Sequence, residues 1–396
     1  MKKSGGEFSE KCPKGVKNHR LVFLQNLSLT GFKNYASAKL EFSPHWNFFS
    51  GRNGSGKTNL LDAIHYLCLG KSYFHSSDLN SVKHGENFFR LDAHFTNDEK
   101  YHVVCVYQAG AKKELKKNDV IYSRIANHVG LIPVVMITPD DQLLIDEGSE
   151  ERRRFIDGTI SQIDHSYLEL LIEYNRVLGQ RNAALKRFAE RNVIDRELLD
   201  SYDAQLSASG HKIFEARKKY LDLMIPMIEH FYGTLSGAAE KVGARYESVC
   251  QHETILNALK KSFQKDSVTQ RTNEGIHRDD FDFLLNGRSM KKFGSQGQKK
   301  SFLMALKFAQ YDLIRKEKNQ SPLLLLDDLF DKLDEERSAN VFRLISENGF
   351  GQVFITDTHE ERVMHLFKES RRAIVHYRVS GGQAVDATSK EATQNK

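Results

Sequence analysis

"GRNGSGKT", Gly51–Thr58, is the stretch that decides the fold. Gly51, Arg52, Asn53, Gly54, Ser55, Gly56, Lys57 and Thr58 together fit G-x-x-x-x-G-K-[ST], the pattern of a phosphate-binding loop. The flanks supply the setting such a loop needs. "WNFFS" before it reads as a buried strand. "NLLDAIHYLCLG" after it carries Leu60, Leu61, Ile64, Leu67 and Cys68 at helical spacing and ends at Gly70. In a strand–loop–helix unit the glycines let backbone N–H groups turn toward phosphate oxygens, and the helix start adds its positive dipole end. Lys57 is expected on the β- and γ-phosphates and Thr58 on Mg2+. The expected ligand is therefore ATP with Mg2+.

A phosphate loop of this kind needs a carboxylate at the end of a neighbouring buried strand. "SPLLLLDDLF" offers one. Leu323–Leu326 is an unbroken apolar run, as in a strand covered on both faces, and Asp327 and Asp328 follow at once. Side chains alternate along a strand, so the two acids are expected to point to different sides. Asp327 is expected to hold the metal, and Asp328 to face the attacking water as a catalytic group beside Lys57. The simpler alternative for both is a pair of helix-capping aspartates.

The chain has 396 residues, too many for one ordinary core, so two lobes are expected. Hydrophobic residues make up 40% and charged residues 28%, and no apolar run is long enough to cross a bilayer. Residues 1–20 lack the apolar core of a secretory signal and read as a flexible extension. Cys12, Cys68, Cys105 and Cys250 are scattered with no C-x-x-C spacing, which suits a reducing cytosol. The net charge of +6 permits nucleic-acid binding without requiring it. The basic residues are clumped at 112–117, 152–154, 186–187, 291–292 and 299–300, which favours DNA, although the simplest reading of any one clump is a solvated face or turn.

Strand-like alternation marks 21–30, 39–42, "FRLDAHF" and "YHVVCVYQ". "KKELKKND" reads as an exposed turn and "PVVMIT" as a buried strand. From about Ser149 to Phe263 the chain reads as mostly helical. There Tyr167, Leu171, Tyr174, Leu178, Leu185 and Phe188 step along one face, most simply a core face between helices. Strand character returns at "FDFLLNG", "PLLLLDD" and "GQVFITD". The tail from 381 is small and polar and expected to be without fixed structure.

A second glycine loop, "FGSQGQKKS" at 293–301, lies about 240 residues beyond the first. Followed by a helix, then "LLLLDD", then "KLD", it resembles the order of signature loop, metal-holding acid and D-loop in ABC-type ATPases. The insert is longer than in transporter ATPases and far shorter than the coiled coils of SMC proteins. With "GFKNY" (31–35), "ERRRFID" (151–157), "YNRVLGQRNAALK" (174–186), "GIHRDDFDFLLNG" (275–287) and the signature run itself, the chain resembles the RecF family from about Leu21 to Ser380.

The resemblance implies an α/β fold, an ABC-type P-loop ATPase head built from both chain ends with an inserted, mostly helical lobe. The expected division is 21–140 and 271–380 for the head, 141–270 for the lobe, and 381–396 for a disordered tail. It implies a cytoplasmic, nucleoid-associated DNA-binding ATPase of repair and replication restart, with no membrane association. Such proteins dimerise with ATP, recognise gapped DNA at single/double-strand junctions, and act with RecO and RecR-like mediators to load RecA. Carried over, Ser295, Gly297 and Gln298 cap the nucleotide of a second copy, and Asp334 is the D-loop aspartate across that interface. Lys33, Asn34 and Tyr35 lie where such heads touch adenine or ribose, or form only a surface turn. Gln142 falls at the Q-loop position toward the metal, or is a capping residue. His359 falls where a γ-phosphate sensor stands, or merely starts a helix. Transporters carry glutamate where this chain has Asp328. The shorter acid reaches a water less well, so slow, regulatory hydrolysis is expected. For DNA contacts, Lys112, Lys113, Lys116 and Lys117 are candidates, and Arg152, Arg153 and Arg154 either bind DNA or pair within the lobe. A transport ATPase subunit and a structural clamp without meaningful hydrolysis are the competing readings.

Overall fold

The computed structural model describes residues 19–97, 99–237, 240–332, 335–370 and 374–388. Its central sheet has six strands in the order Gln383–Asp386, Ile374–Ser380, Trp46–Ser50, Val353–Asp357, Leu323–Leu326, Val134–Ile137. All neighbours are parallel except the edge pair at 374–380 and 383–386. The strand that feeds the phosphate loop thus pairs on both sides with strands from the far end of the chain, so one head is built from both ends.

Alternation explains why these strands are apolar throughout. Trp46, Phe48, Leu324 and Leu326 join one core, with the Gln296–Lys318 helix and the inserted helices. Phe49, Leu323 and Leu325 join the other. In that second core the Lys57–Leu69 helix packs Leu60, Leu61, Ile64 and Leu67 against Leu27, Leu29, Phe89 and Leu91 of a six-stranded antiparallel sheet. Each such fully buried side chain contributes roughly 1.5–3 kcal/mol relative to exposure.

That antiparallel sheet corrects the reading of "KKELKKND". Glu114–Lys117 is a strand, paired with Lys100–Gln108 on one side and Val120–Ile121 on the other. Leu115 is the reason, since it is buried between exposed Glu114 and half-buried Lys116. The turn proper is Asn118–Asp119, both left-handed at φ 48° and 65°, as a two-residue hairpin turn requires. The tail is corrected as well. Gln383–Asp386 is an edge strand on Ile374–Ser380, while residues 389–396 lie outside the described residues.

Three long helices dominate the insert: Ser149–Ile163, His165–Arg191 and Arg196–Ser236. The expected stripe buries Tyr167, Tyr174 and Leu185. It also carries a buried cation that periodicity alone did not flag. Arg181 is 0% exposed, and its guanidinium donates to Asp203 at 2.6 Å, Asp266 at 2.7 Å and the Thr272 hydroxyl at 3.0 Å. A second buried arginine, Arg217, donates to both oxygens of Asp157 at 2.9 Å and to Asp279 at 2.9 Å. The insert is not wholly helical. Val242–Glu247 pairs antiparallel with Asp280–Leu285, which leads into the second glycine loop.

Candidate nucleotide site

Two glycines of the loop are sterically required. A Cβ on Gly51 would lie 2.3 Å from the Val379 carbonyl oxygen, and one on Gly56, at φ +115°, would lie 2.5 Å from the Asn34 amide. Gly56 caps the Lys57–Leu69 helix and offers no side chain, so none caps its first N–H groups. The Ser55 hydroxyl is buried without a hydrogen-bond partner. Arg52, Asn53 and Gly54 form the exposed tip.

Lys57 lies back along the loop. Its ammonium donates to the Gly51 carbonyl at 2.9 Å and stands 3.7 Å from Asp328 Oδ1. The Thr58 hydroxyl is 2.9 and 3.0 Å from the two oxygens of Asp327, joining positions 269 residues apart. Asp327 is 5% exposed. Burial pushes its carboxyl up to about 6, against the hydrogen bonds from Thr356 and Thr58 that favour the charge.

The two acids do not part to opposite sides. Asp328 has φ +43°, so the chain leaves the strand at that residue and the alternation stops. Its N–H donates to the Thr356 hydroxyl at 2.8 Å. That hydroxyl donates in turn to Asp327 at 2.8 Å and lies 3.3 Å from Asp328 Oδ1. Thr356 is therefore a hub that sequence reasoning missed. The available signal was a lone hydroxyl in "VFITD", one position past the paired Leu326 and Ile355.

Asn34 and Tyr35 brace the loop from beneath. The Asn34 amide donates to the Ser55 carbonyl at 3.0 Å and its oxygen accepts from Asn59 at 2.7 Å. Tyr35 donates to the Gly56 carbonyl at 3.1 Å. With Tyr35 0% exposed, the expected contact with a base or ribose is corrected for that residue: its ring is core. Lys33 pairs with buried Asp62 of the loop helix at 2.6 Å.

The second glycine loop starts the Gln296–Lys318 helix through a reciprocal cap. Ser295 Oγ accepts from the Gln298 N–H at 3.2 Å, and Gln298 Oε1 accepts from the Ser295 N–H at 2.7 Å. Gly297 faces the Arg337 guanidinium, which a Cβ would approach to 3.3 Å. Among the described residues, no hydrogen bond or ion pair joins Ser295, Gly297 or Gln298 to residues 51–58. Gln142 donates to Asp146 at 3.1 Å, and Asp146 accepts from Lys299 of the same helix at 2.7 Å. Beside it, Asp141 pairs with buried Lys307 at 2.7 Å and accepts from the Tyr73 hydroxyl, a link that periodicity hid inside an apolar helix. His359 opens the Glu360–Ser370 helix. Its N–H bonds Asp357 at 2.7 Å and its ring is exposed. Asp334 lies outside the described residues.

Several basic clumps are internally engaged. Lys113 donates to the Gly70 carbonyl at 2.7 Å and pairs with Asp78 at 2.8 Å. Arg152 forks onto Asp280 at 2.7 and 2.9 Å, Arg153 donates to the Asp279 carbonyl, and Arg154 pairs with Glu150 and Glu151 one turn away.

A parallel sheet ending in a phosphate loop and paired acids, roofed by an antiparallel sheet and completed by a capped glycine-flanked helix, defines an ABC-type P-loop ATPase head. The chain belongs to the RecF family within that class. The description "RecF/RecN/SMC N terminal domain" matches residues 23–380. The DNA replication and repair protein RecF of Flavobacterium johnsoniae is 44% identical over 352 residues, covering 89% of this chain and 98% of that protein. RecF of Cytophaga hutchinsonii is 38% identical over 374 residues, covering 94% and 99%. The solved structure of the recombination mediator protein RecF with ATP, from the RecFOR pathway, superposes with a TM-score of 0.85 at 29% identity over 93% of this chain and 98% of that one. The Smc head domain of Pyrococcus furiosus, at 17% identity and a TM-score of 0.54, covers 94% of this chain and 98% of that one and shares the fold. Among the described residues, no helix is long and apolar enough to cross a membrane.

Proposed function

We propose that this chain is an ATP-switched, DNA-binding repair protein, in which two copies close on two ATP molecules. The observation that carries the reading is the Thr58–Asp327 contact at 2.9 Å beside Lys57, together with a separate capped loop at Ser295 that, among the described residues, makes no bond to its own phosphate loop. A hydroxyl and a buried carboxylate, both hard oxygen donors, fit Mg2+, and the neighbouring orphaned Ser55 hydroxyl fits a polar ligand. Thr58 and Asp327 would hold the ion, which would offset phosphate charge when bound. Gly51–Thr58 cradle the phosphates with backbone N–H groups, and Lys57 exchanges the Gly51 carbonyl for phosphate oxygens. Asn34 and Tyr35 serve nucleotide binding by holding the loop. Asp328 orients the attacking water, and His359 at its helix start senses the γ-phosphate. Gln142 joins the metal site by releasing Asp146, which loosens Lys299 and so informs the second loop.

In the second copy, Ser295, Gly297 and Gln298 meet the γ-phosphate as a helix N-terminus with a hydroxyl. The D-loop role expected of Asp334 at the same interface falls on a residue outside the described ones. The short reach of Asp328 makes hydrolysis slow and regulatory, stimulated by DNA. The dimer recognises gapped DNA at single/double-strand junctions and works with RecO- and RecR-like mediators to promote RecA loading, in the cytoplasm at the nucleoid. Residues 21–140 and 271–380 form the head and 141–270 the lobe. Sizing in ATP and Mg2+ tests the reading. Wild type is expected to dimerise, Lys57→Met and Ser295→Arg to remain monomeric, and Asp328→Asn to give a longer-lived dimer. Monomers in every condition would refute it.

A further inference from the structure

On the outer face of the antiparallel sheet, away from the phosphate loop, three metal-ligating side chains converge. Asp92 and His94 lie two residues apart on the Phe88–Thr96 strand and so project to the same side. His102, on the Lys100–Gln108 strand, stands directly opposite His94. The two imidazoles stack with centroids 4.6 Å apart and planes 10° from parallel. His102 Nε2 is 2.9 Å from Asp92 Oδ1. One donor atom from each of the three residues lies within 4.8 Å of the other two. Tetrahedral Zn2+ with bonds near 2.0–2.1 Å sets its ligand atoms about 3.4 Å apart, so side-chain rotation at the surface closes the set.

A second layer of contacts orients these donors. His94 Nδ1 donates to Asn26 Oδ1 at 3.0 Å, which leaves Nε2 with the lone pair a metal needs. Asp119, on the exposed hairpin turn, lies 4.0 Å from His102 Nδ1. Arg90 competes at one point only, holding the second oxygen of Asp92 at 2.5 Å. The backbone under the cluster is an uninterrupted ladder from Phe88 to Thr96, a rigid platform for the three donors.

We propose that Asp92, His94 and His102 bind one borderline transition-metal dication, Zn2+ being the best match, with water or Asp119 completing the shell. Two imidazoles and a carboxylate suit Zn2+, whereas Mg2+ takes oxygen donors and keeps its waters. The site is thus chemically separate from the metal expected at Thr58 and Asp327. It pins Lys100–Gln108 to Phe88–Thr96, the strand that pairs with Phe23–Phe32, which carries Asn26 and runs on into the Asn34–Tyr35 brace beneath the phosphate loop.

The test uses the full chain without nucleotide or Mg2+, titrated with Zn2+ in competition with a chromophoric chelator. Wild type is expected to take up one more equivalent than the His94→Ala/His102→Ala double variant, with millimolar Mg2+ failing to displace it. Asn26→Ala is expected to weaken uptake by roughly tenfold. A Zn2+-induced rise in melting temperature should appear in wild type and vanish in the double variant, while the two melt alike without metal. Equal Zn2+ uptake by wild type and the double variant, whether one equivalent or none, overturns the proposal.

Discussion

Asp327 ends a strand of four buried leucines, and its own side chain is almost as buried as theirs. Keeping a charge there costs stability. The folded carboxyl sits at about 6, raised above its ordinary range by burial, so between that range and pH 6 the folded chain holds a proton that the unfolded chain releases. This group therefore favours folding at low pH, and the contribution is lost as pH rises through about 6. Asp327→Asn is expected to stabilise the ligand-free chain at pH 7.5 by about 1–2 kcal/mol relative to pH 5, read from paired denaturant melts. The same substitution should weaken ATP–Mg2+ binding. An unchanged pH dependence would show that Asp327 is ionised without cost. Much of this site was legible in sequence, because Gly51–Thr58 and "LLLLDD" are local patterns with local causes. Thr356 was not, because its role depends on which strand lies next to Leu323–Leu326. Nor was the turn of Asp328, since a positive φ at aspartate leaves no periodic trace.

At the scale of one element, the Gln296–Lys318 helix has two claims on Ser295. The hydroxyl caps its own helix, as "S-Q-G-Q" advertises through the serine and glutamine three apart, and it is the proposed cap for a partner's phosphate. Substitution can separate these roles. Aspartate caps a helix as well as serine does, so Ser295→Asp is expected to leave the monomer's stability unchanged within a few tenths of a kcal/mol. Its charge would face a γ-phosphate, so ATP-driven dimerisation should fall at least about tenfold. Ser295→Ala is the converse, with about 1 kcal/mol of stability lost and no repulsion introduced. Melting curves and sizing in ATP and Mg2+ read the two effects separately. Wild-type dimerisation by Ser295→Asp would remove this loop from the nucleotide interface. The rest of the helix was hidden from sequence reading: Lys299 and Lys307 look like solvated cations, yet both are buried on acids from residues 141–146, and ion pairing across 150 or more residues leaves no spacing to read.

Across the whole molecule, basic residues divide into those that hold the fold and those that face outward. The stretch "GIHRDDFDF" illustrates the first kind of bonding. Asp279 receives Arg217 and the Tyr246 hydroxyl, Asp280 receives Arg152, and His277 meets Tyr174 at 2.9 Å, so a motif specific enough to mark the family here ties strand to helices. Removing one partner of so buried a pair costs several kcal/mol, which makes Arg152, Arg181 and Arg217 unsuitable probes of DNA binding. Lys186 and Arg187 differ. Both are exposed on the His165–Arg191 helix, whose opposite face carries buried Ala184 and Leu185. If the lobes flank bound DNA, these two contact phosphates, and each contact should contribute about 0.9 to the slope of log affinity against log salt for duplex and about 0.7 for single strands. The Lys186→Ala/Arg187→Ala pair is then expected to reduce the slope by about 1.4–1.8 with the melting temperature unchanged, because no buried group is disturbed. Arg154→Ala, whose guanidinium is already paired one turn away on Glu150 and Glu151, is expected to leave the slope as it was. Fluorescence anisotropy of a gapped duplex across a salt series, in ATP and Mg2+, measures both slopes. Equal slopes for wild type and the double variant would move the DNA path off this helix and onto the head.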